Sequence, residues 1–480
     1  MKPAVIRSFA IVGLAAILAI SVRAWLGPFR AGPIHFASPM GAESLFAVVF
    51  LALVWLRSEA VTTAGQIKVP IRVAHLLLAL AVVAAAFIPD LRDPFLSDDY
   101  ILVSRATLNH SRILAVFHTP GGDGSYRPLG YLYYALLRHF GGVDPLKWHA
   151  CALAVHLINC ALLYVIVSGL CAGRLAADWR VRPTLLAFIA TVLFGLNGTR
   201  PESVTWTAGN FDLLACAFTL AATLAVMRRR VWLALFFLVL GILSKESAYA
   251  APAVIFGFAA AGNRLRESRV RLALIASIAI CGAMFAYRWT LFHGPGGYIN
   301  PATGQPQVLS FHLGSALKAL FLRVWANLLF PVNWDASGKS PILAVALAAG
   351  AGAILYAAYT ARLPRRIVWP MLALTIGALA PAYHLALIGD NLNGSRILYL
   401  PAIGICVLCA HLVHSKPVVA AVAMVCTGAI LLHNLDAWHR NAVLADRVCA
   451  GATTQAPVHD LNGVVFFANG YKECLAMKRR

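Results

Sequence analysis

From Ala4 to His433 the chain repeats apolar blocks of roughly 15–24 residues separated by short polar breaks, and blocks of that length suit helices crossing a hydrocarbon core. The pattern predicts spans at 4–27, 41–57, 71–90, 148–171, 183–197, 205–227, 231–243, 247–262, 270–292, 341–360, 367–388, 397–413 and 417–434. The stretch 231–262 reads as a hairpin with Lys245 and Glu246 at its outer tip, because a single interrupted span would put the Arg264–Arg271 cluster on the outside. In Ser310–Phe330, Leu313, Leu317, Leu320, Phe321, Val324 and Leu328 share one helical face while Ser315, Lys318 and Arg323 break the rest. An interfacial helix on the outer leaflet is expected there. Gly130–Phe140, with Tyr131, Tyr133, Tyr134 and Phe140, is too short to span and predicts a second interfacial helix in the first long external loop. The fold class is therefore all-α and polytopic, with about 13 transmembrane helices.

Composition agrees: 60% of the 480 residues are apolar and only 12% charged, too greasy a mixture for a soluble surface of this size. A soluble enzyme, a disordered chain and a disulfide scaffold are excluded. The net charge of +21 is not a nucleic-acid footprint. With the N-terminus in the cytoplasm, one side collects 19 cations and three acids, so the excess is the positive-inside signature of orientation. The C-terminus is then non-cytoplasmic, and the Ala/Arg-rich composition suggests a bacterial plasma (inner) membrane. Arg23 and the lack of an A-x-A site favour a retained first anchor over a cleaved signal peptide. Eight of ten cysteines fall in spans as packing residues; Cys449 and Cys474 lie in the external tail, where a disulfide between them is plausible.

Chemistry-bearing residues gather at the external ends of the spans. Asp98-Asp99 opens the first long loop, as either a solvated acidic start or a general base for an acceptor hydroxyl. Adjacent residues cannot face one point, so one Asp would be catalytic and the other would orient the site. Arg127, after Tyr126, can bind an anionic headgroup or snorkel. Arg200 and Glu202 lie in a short loop, and Asp212 enters the next span, where a carboxylate costs about 2.5–3.5 kcal/mol unless it finds a partner or water. Lys245 and Glu246 are a recessed functional pair or a structural tie between helices, and Arg396 is a site residue or an interfacial anchor. His149 and His156 share a helix face with Asn159 and, lacking a third ligand, read as helix-interface residues with no metal assigned.

The order of motifs resembles a known family. An Asp-Asp loop follows an early span, then Tyr126-Arg-Pro-Leu129, a Trp148-His-x6-His156 helix start and Leu193-Phe-Gly-Leu-x5-Glu202-Ser-Val-x-Trp-x3-Asn210-x-Asp-Leu-Leu-Ala215. Leu243-Ser-Lys-Glu-Ser247 and Arg396-Ile-Leu-Tyr-Leu-Pro401 complete it. Over about residues 71–415 this is similar to the integral-membrane GT-C glycosyltransferases, especially bacterial relatives of the transmembrane O-mannosyltransferases with tetratricopeptide repeats, here without the repeats. The resemblance implies a GT-C-like catalytic bundle at 71–435, preceded by extra helices at 1–70 and followed by a short external tail at 436–480. It implies transfer of a hexose, of mannosyl type, from a polyprenyl-phosphate donor to a lipid, glycan or protein hydroxyl on the non-cytoplasmic face, with inversion. Asp98 or Asp99 would activate the acceptor; Arg127, Lys245, Arg396 and Arg200 would face the donor phosphate; Tyr126, Glu202, Asp212, Glu246 and His149 would support them. No cofactor is certain, and a divalent metal stays open. Asn197, Arg200 and Asn210 depart from the pattern, standing where relatives often carry His, His and Arg.

Two rivals need similar cations: a lipid-linked glycan transporter, and a ligase or polymerase using a lipid-diphosphate donor. A transporter should carry ionisable groups near mid-membrane in several spans, or a repeat relating its halves, whereas here the polar residues cluster at external ends.

Overall fold

The computed structural model describes residues 29–31, 34–36, 71–106, 115–119, 124–171, 183–297, 324–329, 331–333, 365–385, 391–450 and 470–478, with a few isolated positions between them. Phe29–Ala31 and Ile34–Phe36 form a small antiparallel ribbon, Phe29 opposite Phe36. The other regular elements described are helical, and those of eight residues or more are α1 (Ile71–Phe87), α2 (Asp98–Arg105), α3 (Pro128–Gly141), α4 (Pro145–Cys171), α5 (Pro183–Gly195), α6 (Asn210–Met227), α7 (Val231–Ser244), α8 (Ala251–Ala261), α9 (Ser268–Phe292), α10 (Arg365–Leu379), α11 (Ala402–Val413), α12 (Pro417–Cys449) and α13 (Tyr471–Lys478). Helices α3, α4, α5 and α12 each begin on a proline, whose fixed φ suits the first helical turn and whose missing N–H costs nothing there.

Five helices or helix-plus-turn segments among the described residues are long and apolar enough to cross a membrane: Val73–Arg92, Pro145–Leu170, Thr207–Met227, Ser268–Phe292 and Pro417–Cys449. Five more are apolar but shorter. The predicted total of about 13 is not reproduced at this strength, and spans 4–27, 41–57 and 341–360 lie outside the described residues, as does most of the Ser310–Phe330 helix. The predicted extra helices of 1–70 are likewise undescribed apart from the ribbon.

Apolar side chains from α1, α4, α5, α6, α8, α10, α11 and α12 fill one continuous core. Outside it, α7 and α9 turn large apolar residues away from the protein: Trp232 is 85% exposed and Ile275 67%, with Phe236, Ile278 and Trp289 alongside. Such a face would drive aggregation in water, but it suits hydrocarbon.

Residues 231–261 do form a hairpin. Helix α7 rises beside α6 to an extended break at Lys245, and α8 returns, so that Arg264 reaches the carbonyl of Met227 and binds Glu267, which also holds Arg229. Basic residues thus mark one end of the bundle, and the candidate chemistry lies at the other. Helix α12 departs from expectation. The span predicted at 417–434 continues unbroken to Cys449, 33 residues or about 50 Å, some 20 Å more than a hydrocarbon core requires. The boundary placed between 435 and 436 falls inside this helix, and its overhang buries Ala437, Trp438, Asn441, Ala445 and Val448 at helical spacing, in line with the buried Asn434.

Cys449, closing α12, is joined by a disulfide to Cys474 of α13. That places α13 against α2, where Gly470, at φ +81°, lets the chain approach the carbonyl of Ser97. A second close approach joins α11 to α10: a Cβ on Gly404 would sit 2.4 Å from both the Met371 carbonyl and Thr375 Oγ1. Gly404→Val should therefore cost about 1–3 kcal/mol, read as a lowered thermal midpoint in detergent, whereas Gly282→Ala, with nothing within 4 Å of its added Cβ, should stay within about 1 kcal/mol of the parent. Equal midpoints for the two variants would contradict this packing.

Candidate active site

The turn carrying the two aspartates is held from several sides. Ser97 adopts a positive φ of 54°, so α2 starts abruptly and its first two side chains diverge. Asp99 turns inward and is 1% exposed. Its Oδ2 accepts the Leu96 amide at 3.2 Å and its Oδ1 the Ala208 amide at 3.0 Å. Burial raises its carboxyl well above the usual range, against those amide bonds, which favour the charged form; the nearby Asp98 adds to the rise. Asp98 stays half-buried at the surface of the turn. The sequence left the roles of the pair open; the geometry separates them into a fastened residue and an accessible one.

Trp206 ties this turn to the cations. Its indole Nε1 donates to the Leu96 carbonyl at 3.1 Å, and the Arg396 guanidinium lies over its ring at 4.8 Å. Glu202, 1% exposed, organises the Arg396 turn: its carboxylate accepts from the amides of Gly394 (2.9 Å) and Arg396 (2.8 Å) and from Arg396 Nη1 (2.6 Å). Gly394, at φ +89°, supplies the bend that lets successive amides converge on that carboxylate.

The remaining charges form two further groups. Lys245 at the hairpin tip makes an ion pair with Asp212 in the first turn of α6. Glu246 binds two guanidinium groups, Arg127 at 2.9 Å and Arg288 at 2.8 Å. Arg127 also stacks over Phe211 at 5.1 Å, and Phe211 packs edge-on against Tyr134, whose hydroxyl donates to the Thr207 carbonyl beside the Asp99 contact. Arg288 was missed in the sequence because it sits inside an apolar run without a motif. A cation four residues from the end of α9 was the available signal.

Other predicted residues stand apart. Arg200 is fully buried, sandwiched between Phe194 and Tyr399 at 4.3 Å from each ring, and donates to the Phe194 carbonyl. No face of it is open to a ligand. Tyr126 points at the Phe117 carbonyl, and burial pushes its hydroxyl up to about 12. His149 Nε2 donates to the Asp93 carbonyl at 3.1 Å, behind the Asp98 turn, while His156 contacts Tyr399 and the Gly195 carbonyl. Both histidines join helices or loops to one another.

No protein-family model matches the chain, and no solved structure matches it. Part of the chain is similar to protein O-mannosyl-transferase Tmtc1 of Drosophila melanogaster, 27% identical over 186 residues, which cover 36% of this chain and 20% of that relative. It is also 30% identical over 105 residues to protein O-mannosyl-transferase TMTC1 of Mus musculus, covering 22% of this chain and 10% of the relative. The chain thus spans a fifth or less of the length of either relative, and its similarity to these protein O-mannosyl-transferases is a partial one.

Proposed function

We propose that the protein is an inverting glycosyltransferase of the GT-C type that uses a polyprenyl-phosphate sugar on the non-cytoplasmic membrane face. The observation that carries this reading is the shared use of Trp206. One side chain braces the Asp98–Asp99 turn and carries Arg396 on its face, so an acid and a cation meet at one end of an apolar bundle. The partial similarity to protein O-mannosyl-transferases supports the same chemistry.

Asp98 takes the proton of the acceptor hydroxyl, whose oxygen forms a bond to the anomeric carbon from the face opposite the phosphate. The carbon–oxygen bond to the phosphate breaks and its electron pair leaves with the phosphate, which gains one negative charge. One base and one anion seat suffice, unlike the two carboxylates of water-using glycosidases. Arg127 and Arg288 converge on the carboxylate of Glu246, whereas Lys245 pairs with Asp212 and Arg396 with Glu202. The two converging guanidinium groups are the electrostatic seat for the leaving phosphate. The apolar outer face of α9, the helix that carries Arg288, suits the polyprenyl chain.

With the purified protein, labelled polyprenyl-phosphate sugars and membrane extract as acceptor source, Asp98→Asn should lower transfer by about 10²–10⁴-fold. Asp99→Asn should retain more activity, because an amide oxygen can still accept one of its two backbone bonds. Full transfer by Asp98→Asn would reject the base assignment. Arg288→Gln should raise the donor KM by about tenfold, the value of one charge-assisted hydrogen bond, with the acceptor KM unchanged. The opposite selectivity would overturn the phosphate seat. Lys245→Ala and Arg396→Ala should likewise weaken use of the lipid donor more than use of the acceptor, seen in the same two-substrate kinetics.

A further inference from the structure

Behind the Asp98 turn lies a second polar cluster that the transfer chemistry does not use. Asp90, in the turn Ile88–Arg92 that follows α1, and Asp93, which closes it, meet His439 from the overhang of α12, and one ligand-capable atom of each lies within 4.8 Å of the other two. His439 Nδ1 is 2.7 Å from Asp93 Oδ1. The Asp93 side chain is 4% exposed, yet its second oxygen, Oδ2, is buried without a hydrogen-bond partner. A buried carboxylate oxygen left unsatisfied costs about 1–3 kcal/mol or more, so the arrangement is incomplete as a simple ion pair. Asp436, one helical turn before His439, adds a third carboxylate nearby and is itself paired with Arg440.

We propose that Asp90, Asp93 and His439 bind a divalent cation of the zinc class, which pins the first external loop to the overhang of α12. Two carboxylate oxygens and one imidazole nitrogen are a set suited to Zn²⁺ or Mn²⁺; an all-oxygen shell, preferred by Mg²⁺ and Ca²⁺, is not on offer. The cation replaces the proton now shared by Asp93 and His439, so binding releases a proton when the imidazole is protonated beforehand. Asp90 and His439 are half-exposed, which leaves solvent a way in and water a place as the fourth ligand. The role is a positioning one: Asp93 lies five residues before Asp98, and its carbonyl is held in turn by His149. This inference stands apart from the sugar-transfer reading, since its tests need no substrate.

The full chain, purified in detergent, stripped with EDTA and exchanged into metal-free buffer, is titrated with Zn²⁺, Mn²⁺ and Mg²⁺. Metal content is read by mass spectrometry and stability by thermal midpoint. The expected result is about one Zn²⁺ per chain after desalting and a midpoint raised by about 3 °C at a hundredfold excess over Kd, with a smaller effect of Mn²⁺ and none of Mg²⁺. Asp90→Asn and His439→Gln should each abolish both signals. Should His439→Gln fail to fold, the half-exposed Asp90→Asn still decides the matter. Zinc content and midpoint response equal in parent and Asp90→Asn, or absent from the parent, would overturn the site.

Discussion

The structure depends on burying ionic groups at one end of an otherwise apolar bundle, which is tolerable only when each charge meets its partner there. Taking a carboxylate and a cation out of water costs several kcal/mol per ion, and attraction repays it only with close geometry and further hydrogen bonds. Glu202 shows the requirement met in full: backbone amides, the Ser395 hydroxyl and the Arg396 guanidinium all converge on it. The pairs also constrain topology. Lys245 can reach Asp212 only if the chain turns back between α7 and α8, and Glu246 can hold Arg127 and Arg288 only if the first loop and the end of α9 lie over that turn.

The acid turn is built on a different principle. Its surroundings are aromatic side chains and backbone amides, and its rigidity is borrowed from the far end of the chain. The α12 overhang brings Trp438 to Trp206 and His439 to Asp93, and the Cys449–Cys474 disulfide sets α13 against α2. A covalent link closing a 25-residue separation removes about 3 kcal/mol or more of disorder from the unfolded tail on the loop-entropy account. Residues about 350 positions apart in sequence therefore meet around one turn.

Much of this was legible in the chain because the signals were local. Apolar blocks and the cation cluster at 264–271 located most of the described helices and the hairpin. What escaped depends on tertiary packing. Arg200 and Arg396 look alike in sequence, each at an external loop, yet Phe194 and Tyr399 close over one while Trp206 leaves the other partly exposed. The overhang of α12 was hidden by its polar residues, which resemble a solvated tail until the spacing of Asn434, Ala437, Trp438, Asn441, Ala445 and Val448 is recognised as one buried helical face. Arg288 carried no motif, and only its meeting with Glu246 gives it meaning.

Those two principles assign different tasks to charge. A neutral buried pair such as Lys245–Asp212 has already spent its attraction internally, and an arriving phosphate must compete with a carboxylate in a medium where that contest is strong. Two guanidinium groups that converge on Glu246 repel one another, and an anion beside them would offset that repulsion as well as add attraction. In the proposed transfer the phosphate gains negative charge as its carbon–oxygen bond to the sugar breaks, so its attraction to those guanidinium groups would be greater after cleavage than before. A seat of that kind favours the departing state over the bound donor, which is what raises a rate rather than merely an affinity.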